Sequence, residues 1–457
     1  MQSKNQEKKA NMLQELNSKN NFTFKKWQKI KTYNQDKSIN FYKKFIKNYL
    51  SLNKKYFFNK EFLKSYIFNQ IINIDTKKNY NLKFLPIGIK DNINTKFLST
   101  NYGLRSKKKF MAGNNANIVD KIINNGGLIF SKTNCAEYAV HHISEKLNIN
   151  PYDDKFIAGT SSTGSAIAVS CGALPVAIGT QTAGSIIRPS SFCGVYGFKP
   201  TFGSIDRTGI LKNNDLFDTV GIIAAEIEFI ELVFKNIFNN SKDFPWSKKY
   251  KFNFDNFKNK KNLKIGYFDS TFNIYKNSTI EVKNFYKFIL NNLEKKLLLK
   301  PIKSNLFNKF HEYHEILYNK SLSYYLKNYT KNKNSLSKIL KEMIIKGEKT
   351  SLKKYNDTVI KINLLKKKIK KITSEFDFII IPSTFSQAPK IKHKEIDDSN
   401  LIWTTMGYPC INIPFKFSKN PLPFGMLVIS NEFNDFSLLE FCKKKIYLKD
   451  IIKNDVK

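Results

Sequence analysis

Two glycine-framed loops hold the residues best suited to chemistry. Gly159-Thr-Ser-Ser-Thr-Gly-Ser-Ala packs four hydroxyls between glycines just ahead of a helix pattern. Gly179-Thr-Gln-Thr-Ala-Gly-Ser-Ile-Ile-Arg-Pro sets Ser185 in a tight turn after a strand pattern. Such turns expose backbone N–H groups, and preorganised N–H donors stabilise an oxyanion better than water does in a closed site. Phosphate binding is the competing chemistry, but the Walker pattern needs a Lys after its second Gly and neither loop has one. A serine hydroxyl is a weak nucleophile until a base takes its proton. The five histidines (His141, His142, His311, His314 and His393) all fall outside the two loops. A lysine serves instead if burial keeps it neutral, because desolvation lowers an ammonium pKa. Lys90 meets the positional requirement at the end of the apolar run Phe84-Leu-Pro-Ile-Gly-Ile.

The elements that must position these groups follow an α/β pattern. The run ending at Lys90 reads as a buried strand that delivers side chains to a site. Asn117-Ile-Val-Asp-Lys-Ile-Ile-Asn-Asn-Gly-Gly reads as a helix stopped by glycine and followed by the strand Leu128-Ile-Phe-Ser. The small-residue helix from Ser165 leads into the strand Leu174-Pro-Val-Ala-Ile-Gly-Thr, so the two loops flank one helix–strand unit. Residues 1–80 show loose helical spacing and are expected as helices packed on a core. The remainder, 81–457, is expected to form the catalytic domain. Within it, 240–375 is Lys/Asn-rich and reads as a mainly helical variable insertion with one strand-like piece at Leu263 and little catalytic content. Phe376-Asp-Phe-Ile-Ile-Ile-Pro-Ser is a further strand, and the segments from Trp403 and Pro423 carry sheet texture.

The glycine–serine block, the Thr-Ala-Gly-Ser turn, Phe192-Cys-Gly-Val-Tyr-Gly-Phe-Lys-Pro-Thr-Phe-Gly and Gly88-Ile-Lys-Asp-Asn together resemble the amidase-signature family. The resemblance is strong over 84–225 and weaker over 376–430. It implies a single α/β/α layered domain with a mixed central sheet, the catalytic residues converging at the sheet's edge. Residue by residue, it implies Lys90 as base, Ser161 as a bridging serine in a cis peptide, and Ser185 as nucleophile. It also implies the N–H groups of Thr182, Ala183, Gly184 and Ser185 as oxyanion hole, and Ser162 as a neighbour hydrogen-bonded to the lysine. The implied reaction cleaves a carboxamide to a carboxylate and ammonia or an amine through an acyl-enzyme, with no metal or organic cofactor. Thr160 and Thr163 replace common glycines, Gln181 replaces a common Asp, and Arg188 follows the nucleophile as in a subset of general amidases. These departures bear on substrate preference. Arg188 is equally open to a structural role and to orienting a substrate carbonyl.

Three functions compete. A free-standing amidase acting on a small-molecule amide is favoured by the Thr-Gln-Thr-Ala-Gly-Ser-Ile-Ile-Arg-Pro turn, Asp218-Thr-Val-Gly-Ile and Trp403-Thr-Thr-Met-Gly-Tyr-Pro. The glutaminase (A) component of glutamyl-tRNA(Gln) amidotransferase shares the same motifs and would need partner subunits. A degenerate anion-binding scaffold is disfavoured because Lys90, Ser161 and Ser185 are all present. A homodimer is compatible with any of them.

The bulk numbers are permissive. The 457 residues, 41% hydrophobic, suffice for one large domain or two ordinary ones. The formal charge of +40 suggests nucleic acid, yet only Arg105, Arg188 and Arg207 are arginines, and phosphate grips favour Arg. The abundance of Lys, Asn, Ile, Phe and Tyr instead matches an A+T-rich genome, so no direct nucleic-acid binding is expected. Five scattered cysteines without paired spacing argue against a disulfide framework or a zinc site, and Cys171 and Cys193 are expected as small buried hydrophobes. Trp403 and Tyr408 are read as core, and Asp397 as part of a solvated acidic loop. A polar start and the lack of an apolar run near 20 residues lead to an expectation of a cytoplasmic protein without a membrane span.

Overall fold

A computed structural model describes residues 22–104, 110–140, 149–238, 263–269, 272–295, 297–327, 336–391, 400–416 and 421–444. Eleven strands form one mixed sheet: β1 (Asn59–Glu61), β2 (Pro86–Lys90), β3 (Leu128–Thr133), β4 (Val176–Gln181), β5 (Tyr196–Lys199), β6 (Thr219–Ala224), β7 (Lys264–Tyr267), β8 (Leu298–Pro301), β9 (Phe378–Pro382), β10 (Cys410–Phe415) and β11 (Phe424–Ile429). Their spatial order is β1-β3-β2-β4-β6-β5-β10-β11-β9-β7-β8. β2 runs parallel to both β3 and β4, and β7 runs parallel to β8 and β9, while the strands from β6 to β11 join them through antiparallel pairs.

Every residue of β2, β3 and β4 is buried. Parallel strands covered on both faces read as continuous apolar runs, which is why these three were recognisable without alternation. The covering helices are α1 (Phe24–Ile30), α2 (Gln35–Tyr56), α3 (Lys64–Asn73), α4 (Asn117–Asn124), α5 (Thr163–Ser170), α6 (Ile187–Phe192) and α7 (Ile227–Ile237). They are followed by α8 (Asn273–Asn277), α9 (Ile280–Glu294), α10 (Phe310–Tyr325), α11 (Lys338–Lys349), α12 (Leu352–Thr373), α13 (Asn400–Met406) and α14 (Asp435–Lys444). In α2 the buried residues Tyr42, Ile46 and Tyr49 recur at helical spacing, and Tyr49 meets Phe130 of β3 edge-on at 4.9 Å. The N-terminal helices thus lie on the core, and β1 from the same region extends the sheet past β3.

The stretch read as a helical insertion does more than cover. β7 and β8 carry the sheet two strands beyond β9. Leu298-Leu-Lys-Pro is exposed or half-buried, so its sequence carried no apolar signal for a strand. The segment at Trp403 is a helix, α13, rather than sheet; the sheet resumes at Cys410. Trp403 and Tyr408 are both buried core residues. Among the described residues no helix is long and apolar enough to cross a membrane.

Candidate active site

Lys90 ends β2 and the Ser185 turn follows β4, its parallel neighbour, so the ends of two adjacent strands deliver both groups to one place. These are interior strands, third and fourth in the sheet order, and the site lies where their ends leave the sheet. The third group arrives on the loop that enters α5. There the Thr160–Ser161 peptide is cis and Gly159 adopts φ +81°, a left-handed conformation open to glycine at little cost. Close packing fixes this loop against β4: a Cβ on Gly179 would meet Ser162 Oγ at 2.8 Å.

Lys90 is fully buried and its ammonium has three acceptors. Nζ donates to Ser161 Oγ at 2.8 Å, to Thr180 Oγ1 at 2.9 Å and to the Thr180 carbonyl at 3.2 Å. Asn92 Nδ2 also donates to Thr180 Oγ1, at 3.0 Å. Burial pushes the Lys90 pKa down to about 8, with the thiol of Cys135 and the carboxylate of Asp218 pulling the other way. Ser162 differs from its expected place: its hydroxyl donates to the Thr180 carbonyl at 3.2 Å, sharing an acceptor with Lys90 instead of contacting the amine.

The turn Thr182–Ser185 has a consistent polarity. His314 Nε2 lies 2.9 Å from the Thr182 carbonyl, and Thr404 Oγ1 donates to the Ala183 carbonyl at 2.6 Å. The N–H of Arg188 donates to the Gly184 carbonyl at 2.9 Å, and that of Ser162 to the Ser185 carbonyl at 3.2 Å. All four carbonyls of the turn are held, whereas the four N–H groups meet no acceptor among the described residues. In a planar trans peptide the carbonyl and the next N–H point in opposite directions. Pinning the carbonyls of Thr182, Ala183 and Gly184 therefore aims the N–H groups of Ala183, Gly184 and Ser185 away from the anchors. The result is a cluster of open donors next to the hydroxyl of Ser185, which is 6% exposed.

Of the residues that departed from the resemblance, Gln181 braces this turn, and Arg188 and Thr163 brace the cis-peptide loop. Gln181 Oε1 accepts the N–H groups of Ile186 at 2.7 Å and Ile187 at 3.1 Å, and its Nε2 donates to Thr404 Oγ1 at 2.9 Å. Arg188 is buried and its Nη2 donates to the Thr160 carbonyl at 2.9 Å, so its guanidinium holds the cis-peptide loop. Thr163 Oγ1 donates to the Gly159 carbonyl at 2.6 Å.

Several supporting residues went unrecognised in the sequence. Thr182 Oγ1 donates to Asp218 Oδ1 at 2.6 Å. The other oxygen of Asp218 accepts the N–H groups of Asn213 and Asn214 and lies 3.2 Å from Arg207 Nη1. Burial pushes the Asp218 carboxyl up, opposed first by the Arg207 guanidinium. His314 sits on α10, far along the chain, and no local pattern marked it. His141, His142, His393, Asp397 and Arg105 lie outside the described residues. All five cysteines are buried and lie outside any disulfide; burial pushes the thiol of Cys171 up to about 12 and that of Cys193 up as well. Among the described residues no group of three His, Cys, Asp or Glu side chains could hold a metal ion.

A family model described as Amidase matches residues 44–439. The A component of glutamyl-tRNA(Gln) amidotransferase from Borreliella burgdorferi is 26% identical over 467 residues, covering 91% of this chain and 92% of its own length. Among solved structures, one described as the crystal structure of an amidase superposes with a TM-score of 0.76 at 20% identity, covering 87% of this chain and 94% of its own. The corresponding amidotransferase component from Thermotoga maritima superposes with a TM-score of 0.73 at 21% identity, covering 90% and 93%. At these identities the superpositions show a common fold.

Proposed function

Since the chain belongs to the Amidase family, whose model spans residues 44–439, we propose that it hydrolyses a small-molecule carboxamide with Ser185 as nucleophile, Ser161 as proton relay and Lys90 as base. The observation that carries this reading is the Lys90–Ser161 hydrogen bond beside a turn whose N–H groups are open. A neutral lysine amine keeps two hydrogens and one lone pair. With the hydrogens on the Thr180 carbonyl and hydroxyl, the lone pair faces Ser161 Oγ. Lys90 takes the proton of Ser161 as Ser161 takes that of Ser185, and Ser185 Oγ bonds to the amide carbon. The oxyanion that forms is met by the N–H groups of Thr182, Ala183, Gly184 and Ser185. Collapse breaks the carbon–nitrogen bond, and the leaving nitrogen takes the proton back along the same relay. Water then attacks the acyl-serine with Lys90 and Ser161 again removing its proton, which releases the carboxylate and restores Ser185.

A second reading has a specific support: the full-length relative from Borreliella burgdorferi carries the name of a glutamyl-tRNA(Gln) amidotransferase component. In that reading the same chemistry releases ammonia from glutamine for partner subunits. Ammonia release from a panel of primary amides that includes glutamine separates the two, with Ser185→Ala and Lys90→Ala as controls. The hydrolase reading expects the chain alone to cleave a simple amide and Ser185→Ala to abolish the activity. Silence on every amide, relieved only by partner subunits and charged tRNA, would make it the amidotransferase component.

A further inference from the structure

We propose that His314, on α10, is a positioning residue that aims the Ala183 N–H into the oxyanion site by holding the Thr182 carbonyl. The inference rests on the reading of the 182–185 turn as an oxyanion hole and adds a residue from outside both serine loops.

His314 is 4% exposed, and its ring lies flat against Phe217, with centroids 4.7 Å apart and planes 15° from parallel. That stacking fixes the direction of Nε2, which lies 2.9 Å from the Thr182 carbonyl. A carbonyl oxygen only accepts, so Nε2 is the donor in this contact. The carbonyl of Thr182 and the N–H of Ala183 belong to one planar trans unit, and rotating one swings the other. The opposite side of the same residue is tied down independently, since Thr182 Oγ1 donates to Asp218. Thr182 is thus held through its side chain by Asp218 and through its carbonyl by His314, which leaves the following peptide plane one orientation.

The helix that carries His314 is itself registered on the segment before β6. Asn214 Nδ2 donates to the Leu317 carbonyl at 3.1 Å and to Ser321 Oγ at 3.0 Å, and the Tyr325 hydroxyl donates to Asp215. His314, Leu317, Ser321 and Tyr325 follow helical spacing along one face of α10. The face is therefore aligned with residues 214–218 over nearly its whole length, and Asp218 and His314 reach Thr182 from that aligned pair.

The test uses the full-length chain and a fluorophosphonate, a probe that phosphonylates an activated serine and places a phosphoryl oxygen where an amide oxyanion would sit. His314→Phe keeps the ring stack on Phe217 and removes the donor; His314→Gln returns an N–H near the position of Nε2. The expected result is that His314→Phe labels Ser185 on the order of 10- to 100-fold more slowly than the parent, since a single oxyanion donor contributes on the order of 10²- to 10³-fold. His314→Gln is expected to recover most of that loss, while both variants stay folded under the labelling conditions. Labelling of His314→Phe within twofold of the parent, or Gln as slow as Phe with both folded, overturns the proposal. A crystal structure of His314→Phe decides the geometry without chemistry. The Thr182–Ala183 peptide plane is expected to turn, and its retention overturns the proposal whatever the labelling shows. Failure of the parent to label at Ser185 counts against the nucleophile reading instead, and the crystal structure still decides the role of His314.

Discussion

The backbone N–H of Ser162 donates to the carbonyl of Ser185 at 3.2 Å, which joins the two serine loops without using either hydroxyl. The neighbouring serines in the first loop therefore carry different burdens. Ser161 meets Lys90 through its hydroxyl, whereas among the described residues the Ser162 hydroxyl donates to the Thr180 carbonyl. Ser161→Ala is expected to lower kcat on the order of 10³-fold or more, as loss of a group acting within a catalytic unit does. Ser162→Ala removes one neutral hydrogen bond, a matter of about 1 kcal/mol, and is expected to keep kcat within about tenfold. Equal losses in the two variants would contradict this division.

Lys90 must be neutral to act as base, and burial holds its pKa at about 8. Below that value the amine is charged, so kcat/KM is expected to fall as pH drops through it and to level off above. A pH–rate profile on any cleaved amide checks this. A rate that stays flat from pH 6 to 10, the chain remaining folded, would remove Lys90 from the role of base.

Arg188 donates a guanidinium N–H to the Thr160 carbonyl. Arg188→Met is expected to lower stability by about 1.5–3 kcal/mol, the range for a hydrogen bond to a charged group, and to depress kcat by the same factor on every amide. Denaturant unfolding and a substrate panel measure both. A KM increase confined to particular amides would return Arg188 to substrate recognition.

Gln181 joins the turn to α6 and α13. Gln181→Leu strands the N–H groups of Ile186 and Ile187 in a buried setting, at about 1–3 kcal/mol each. Gln181→Glu keeps an acceptor for both N–H groups and gives up only the donation to Thr404. The Glu variant is expected to be the more stable of the two in urea; the reverse order would show that the Thr404 contact dominates.

The residues of the proposed triad are legible in the sequence where their signal is local. Ser161 and Ser185 sit in glycine-framed loops, and Lys90 closes an apolar run, so each carries its signal within a few residues. The groups that brace them carry none. Thr404 and His314 lie far along the chain from the turn they hold, and nothing beside them sets them apart from other threonines and histidines. Strand β8 was hidden because its residues are exposed or half-buried, and α13 because it is seven residues long and buried on every side, so polar and apolar residues do not sort by exposure. Ser162 shows the opposite error: family resemblance assigned it a partner, and packing against Gly179 directs its hydroxyl to a carbonyl instead.

The stretch from β7 to α12 looks dispensable on composition, yet two of its strands continue the sheet and one of its helices reaches the turn. Deleting it would uncover the β7-facing side of β9 at Phe378–Ile380 and offer an open edge for pairing with other chains. A minimal enzyme trimmed to the recognisable motifs is therefore a poor engineering target: it would keep Lys90, Ser161 and Ser185 but lose the His314 contact to the Thr182 carbonyl and leave a strand edge open.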